Sequence, residues 1–117
     1  MKLDKKKILG EATDHFGSKR YGGGSSSLAN ECVDLGQVWL DTYTGDYASE
    51  MGFWAKSPRS MRKELKKYVR GHVEYSSHNA TFIPAFIWMW IAQGIISWVI
   101  GKIIDNVLEQ AQDKKYL

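Results

Sequence analysis

The chain has 117 residues, with 16 Lys and Arg against 13 Asp and Glu for a net charge of +3, which bounds it to one modest domain and gives no overall field of the kind that holds nucleic acid. Its single cysteine, Cys32, excludes an intramolecular disulfide framework and leaves no cysteine pair for a zinc site. The opening MKLDKKKILGEATDHF is basic but lacks the apolar run and small-residue cleavage site of a secretory signal.

Leu9, Ala12 and Phe16 recur at helical spacing and predict a first helix ended by Gly17. GSKRYGGGSSS, residues 17–27, then reads as a flexible or turn-rich connection. No lysine follows its glycines in the order a phosphate-binding loop needs, so nucleotide binding is not supported. Behind Ser27 as cap, Leu28, Cys32, Leu35, Trp39 and Tyr43 predict a second helix, stopped by Thr44-Gly45-Asp46. Its carboxylates Glu31, Asp34 and Asp41 read as a solvated face. Tyr47, Met51 and Trp54 add a short helical turn on the same core.

Ser57 and Pro58 form a cap and first-turn pair for a third helix, over residues 58–70, whose apolar positions are Met61, Leu65, Tyr68 and Val69 and whose end is marked by Gly71. The other side of this helix is cationic. Arg59, Arg62, Lys63, Lys66, Lys67 and Arg70 make the pattern that lies along anionic lipid headgroups, although a solvated face or a docking face for acidic residues fits the same charges. Charge is in fact divided into blocks: residues 28–56 hold five acidic side chains and one basic, whereas residues 57–74 hold six basic and two acidic.

After a short extended piece at Val73 to Tyr75, residues 81–101, TFIPAFIWMWIAQGIISWVIG, carry no charge. As a helix this stretch reaches roughly 30 Å, the thickness of a bilayer core. Trp88 and Trp90 lie near its middle rather than at its ends, which is the objection to lipid, so a bilayer and a protein partner both stand as the hiding place. Five basic residues within about twenty positions before the stretch, against three after it, favour a cytoplasmic N-terminus. Asn79-Ala80-Thr81 matches the glycosylation acceptor pattern but abuts the apolar stretch, and reads as chance.

Gln93, Ser97, Gly101 and Asp105 fall at intervals of four and line one small, polar side of this helix, a stripe suited to close packing against another helix. Ile100, Ile103, Ile104, Val107, Leu108 and Ala111 continue the apolar pattern on one side to about Gln112. Beyond the uncharged stretch a bilayer no longer covers them. Self-association or a partner subunit is therefore expected through Gln93, Ser97, Gly101, Ile104 and Leu108.

For catalysis the residue to consider is Cys32. The stretch from Ile8 to Leu40, with Tyr21 before Gly23 and Gly24, a serine-rich loop and Cys32 opening a helix, resembles the opening of the NlpC family of papain-like cell-wall peptidases and amidases. The resemblance implies a thiolate nucleophile at Cys32 and, in Arg70-Gly71-His72-Val73, a histidine partner at His72. Where that family has an acidic-Cys-Ser-Gly core, this chain reads Glu31-Cys32-Val33-Asp34, and the Pro-Gly-Asp segment before the histidine strand is absent. As a residue pattern alone, Cys32 among Leu28, Leu35 and Trp39 reads as a buried free cysteine. No histidine has further ligands at metal spacing, and no metal or cofactor is expected.

The expected fold is all-α: a small helical region at residues 1–74, then a long transmembrane or assembly-buried helix and charged tail at residues 75–117. The expected role is a non-catalytic structural or accessory subunit of a membrane-associated or virion-type assembly, single-pass or buried among other subunits. Its partners would be protein and lipid, without specific nucleic acid. The alternative is a membrane-tethered cysteine peptidase or amidase acting on cell-wall peptides.

Overall fold

The computed structural model describes residues 1–16, 24–78 and 83–113. These form five α-helices, α1 (Lys5–Phe16), α2 (Gly24–Tyr43), α3 (Tyr47–Trp54), α4 (Pro58–His72) and α5 (Ala85–Asp113), with a 3-10 turn at Tyr75–His78 between the last two. Among the described residues there is no strand; of the piece expected to be extended, Val73 is extended and caps α4, whereas Tyr75 opens the 3-10 turn. The glycosylation pattern at 79–81 and the glycine run at 17–23 both fall outside the described residues.

The helix ends follow local chemistry. Asp46 caps α3 by accepting the Ser49 N–H at 2.9 Å, which holds its carboxyl below the usual carboxylate range. Ser57 caps α4 by accepting from Ser60 N–H at 3.1 Å, with Pro58 supplying the fixed first turn. Ser27 is not a cap. The helix begins three residues earlier, at Gly24, because the serines of the run enter the first turn instead of ending the loop.

α5 is the centre of the molecule, packed against α2 and α4 and, over its C-terminal half, against α1. Its 29 residues span about 44 Å at helical rise, which accounts for the long axis of 47 Å in a body otherwise 25 by 20 Å. Ile95, Ile96, Val99, Ile100, Ile103, Ile104 and Val107 are all buried with Leu28, Cys32, Leu40, Met61, Leu65 and Val69 in one core. The apolar row expected to need a foreign partner is thus covered by this chain. Ile104 is fully buried in the chain's own core, and Leu108 packs half-buried against it. The regions expected at 1–74 and 75–117 share that core.

Two details explain how the chain closes around α5. At Gly36, where α2 crosses α5, a Cβ would sit 3.0 Å from Ile103 Cδ1, so a larger residue would need that side chain to shift by a few tenths of an ångström. The segment before α1 is clamped between the same two helices. Gln37 accepts the Leu3 N–H at 2.8 Å and donates to the Met1 carbonyl at 2.9 Å, while buried Asn106 accepts the Asp4 N–H at 3.0 Å and Gln110 donates to the Lys2 carbonyl at 2.9 Å. Leu3 is thereby seated in the core. The oxygen of buried Asn106 is satisfied by backbone, as burial of a polar group requires.

Candidate functional site

By length and composition α5 could cross a membrane. In the fold its two halves differ. The C-terminal half is core, whereas the first two turns leave Phe86 76% and Trp90 80% exposed, with Ile87 and Met89 partly so. Trp88, on the opposite side of the same turns, is buried, and its Nε1–H donates to the Tyr75 carbonyl at 2.8 Å. That bond fixes which side of the helix end faces out. Two aromatic side chains this exposed, four residues apart on one helix, are unusual on a soluble surface.

The cationic face of α4 lies alongside. Arg59, Arg62, Lys63, Lys67 and Arg70 are exposed and Lys66 is half-buried, because Met61, Leu65 and Val69 take the core side of the helix. The ion pairs among the described residues are Lys5–Asp34, Lys7–Glu109, Lys56–Glu64, His78–Glu31 and Lys102–Glu11. None of them uses the six basic residues of this face. Among the described residues, the acidic side chains of α2 and α3 thus form no ion pair with the α4 cations.

Helices α4 and α5 are bridged by Arg70, whose Nε donates to Gln93 Oε1, and Gln93 in turn donates to Tyr75 Oη at 3.2 Å. Between them runs a groove of about 510 Å³ lined by Lys66, Arg70, Trp90, Gly94, Ser97 and Trp98, among others, and closed at one end by His15 and Phe16 of α1. His15 stacks on Trp98 at 4.7 Å between ring centroids. Two of the cations, Lys66 and Arg70, thus share this groove with exposed Trp90. The charge was legible from sequence; the exposure of Phe86 and Trp90 was not, since the whole apolar stretch looked equally in need of cover.

Of the residues expected at a helix seam, Gln93 is used inside the chain, Ser97 is exposed in the groove, and Gly101 has open space where a Cβ would stand.

Cys32 and His72 are placed apart in character. Cys32 has no exposure, and burial, followed by the neighbouring Glu31 charge, pushes its thiol up to about 12. His72 is exposed at the end of α4, its Nδ1 2.8 Å from the Tyr68 carbonyl oxygen. A nucleophilic cysteine needs the opposite shift. Native protein should therefore react with iodoacetamide at neutral pH far more slowly than protein in denaturant, as intact mass would read. The unfolded chain releases the thiol proton first, so this group's contribution is fully present below its ordinary value of 9.0 and is lost as pH rises towards about 12. The slope is about 1.4 kcal/mol per pH unit, measurable by urea unfolding at stepped alkaline pH.

A third cluster joins α2 to the 3-10 turn. Ser27 Oγ lies 2.6 Å from His78 Nδ1, and His78 Nε2 lies 3.4 Å from Glu31 Oε1, which also accepts the Glu74 N–H at 3.0 Å. His78 is 9% exposed, and its Nε2 has no hydrogen-bond partner. Its members are 51 residues apart in sequence, and no spacing rule could have joined them. Among the described residues no group of three or more His, Cys, Asp or Glu could hold a metal ion. Compared with protein-family models, with curated proteins and with solved structures, the chain matches none of them.

Proposed function

We propose that the protein is an accessory subunit that docks on an anionic lipid surface, with the first turns of α5 in the interfacial layer and the cationic face of α4 on the headgroups. The observation that carries this reading is the shared groove, where Lys66 and Arg70 of α4 stand beside Trp90 of α5. Aromatic side chains favour the headgroup level, and each basic residue near an anionic surface contributes about 1 kcal/mol. The two features reinforce one another where Lys66 and Arg70 meet Trp90.

Docking suits the fold better than spanning. To cross a bilayer α5 would have to leave α1, α2 and α4, exposing Leu28, Leu65 and Val69, or draw their charged faces into hydrocarbon. Lying at the surface requires neither. The cytoplasmic leaflet, where anionic lipids concentrate, is the surface that this charge fits.

The test is cosedimentation with vesicles of phosphatidylcholine alone and with added phosphatidylserine. The wild-type chain should bind only the anionic vesicles and be released by salt. Phe86→Ser with Trp90→Ser should weaken binding at least tenfold without altering the circular dichroism spectrum. Equal binding by the double variant, or no binding by wild type, would remove the reading.

A further inference from the structure

We infer that Ser27, His78 and Glu31 form a hydrolytic relay that cleaves carboxylic esters, with Ser27 as nucleophile and His78 as base. The geometry is serial. Ser27 Oγ is 2.6 Å from Nδ1, the carboxylate of Glu31 is 3.4 Å from Nε2 on the far side of the ring, and the Glu74 N–H at 3.0 Å holds that carboxylate in place. We assign the imidazole proton to Nε2, where it faces a carboxylate, which leaves Nδ1 as the acceptor for the serine hydroxyl. Nucleophile and base are within hydrogen-bond reach, and the carboxylate, 3.4 Å from Nε2, is close enough to favour the imidazolium by its charge.

Burial makes the arrangement more than a surface contact. His78 is more than nine-tenths buried, and its Nε2, 3.4 Å from the Glu31 carboxylate, has no hydrogen-bond partner, whereas Ser27 is exposed. Ser27 also sits in the first turn of α2, where backbone N–H groups lack intrahelical partners and the helix dipole favours negative charge. Those donors are suited to the oxyanion that forms when the hydroxyl attacks a carbonyl.

The steps balance without any further reagent than water. Ser27 Oγ bonds to the ester carbonyl carbon while its proton passes to His78 Nδ1, and the resulting imidazolium faces Glu31. The carbon–alkoxy bond then breaks, and the alcohol leaves with the proton from Nδ1. Water attacks the acyl-serine, giving its proton to Nδ1, and the carboxylic acid departs as the proton returns to Ser27 Oγ. An ester suits the site because its alcohol leaves with that single proton.

The experiment uses the full chain, a fluorophosphonate probe read by intact mass and peptide mapping, and hydrolysis of p-nitrophenyl butyrate. No vesicles are present, so the outcome does not depend on lipid docking. Expected is a single phosphonyl adduct on Ser27, with hydrolysis lost in Ser27→Ala and lowered at least a hundredfold in His78→Gln. Glu31→Gln, acting as a positioning change, should lower the rate at least tenfold and move the acid limb of the pH–rate profile to lower pH, while Glu31→Asp restores part of the rate. Ser27→Ala alters an exposed side chain, and its circular dichroism spectrum should match wild type. Absence of the adduct, labelling of Ser25 or Ser26 in its place, or hydrolysis unchanged in Ser27→Ala would overturn the inference.

Discussion

Ile104→Asp is expected to unfold the protein, not to separate it from a partner. Ile104 has no exposure and lies at the centre of the core shared by α1, α2, α4 and α5. Removing its apolar surface forfeits about 2–5 kcal/mol, and the unpaired carboxylate adds a desolvation penalty of several more. Against a total of about 5–15 kcal/mol for a domain this size, little remains. Circular dichroism at 25 °C should show loss of helix, whereas Ile104→Val should cost only about 0.5–1.5 kcal/mol in urea unfolding. An Ile104→Asp protein that stays helical and merely changes its sedimentation would place this row between chains.

Neutralising Arg59, Arg62, Lys63 and Lys67 together to Gln should have the converse signature, an intact fold with docking lost. All four side chains are exposed, and none is in an ion pair of the described structure. At about 1 kcal/mol for each cation near an anionic surface, the loss is about 4 kcal/mol, close to a thousandfold in affinity. Vesicle cosedimentation at fixed salt reads the change, and urea unfolding should give a midpoint close to that of wild type. Binding retained within tenfold would mean that these charges serve some other contact.

Much of the architecture was legible because periodicity and caps are local. Met61, Leu65 and Val69 on one side of α4, Ser57-Pro58 at its start, and the stop at Thr44-Gly45-Asp46 all appear where the spacing puts them. What covers α5 was not legible. Hydropathy reports that a side chain must leave water, and the same isoleucines satisfy that demand in lipid, in a partner or in their own core. The cover comes from α2, α4 and α1, with Gly36 set against Ile103 and the amide clamps of Gln37 and Asn106 holding the first residues. These are long-range contacts with no sequence period.

The site divides in the same way. The cationic face of α4 follows from one helix and could be read directly, but its meeting with Trp90 depends on how α4 and α5 pack. Ser27 was misplaced because three successive serines offer equivalent caps, and tertiary contacts decide where such a helix begins. With Ser27 inside the helix, Glu31 is four residues on, and His78 can reach both. Cys32, next to Glu31, points instead into the core.

Hydrogen exchange along the chain, with and without anionic vesicles, tests most directly whether α5 remains the core helix of a surface-docked domain. Amides of residues 95–111 should be equally protected in both conditions, with added protection on vesicles confined to residues 86–91 and the exposed side of α4. Loss of protection in α1, α2 and α4 when vesicles are added would mean that α5 leaves the core to enter the bilayer, and would contradict it.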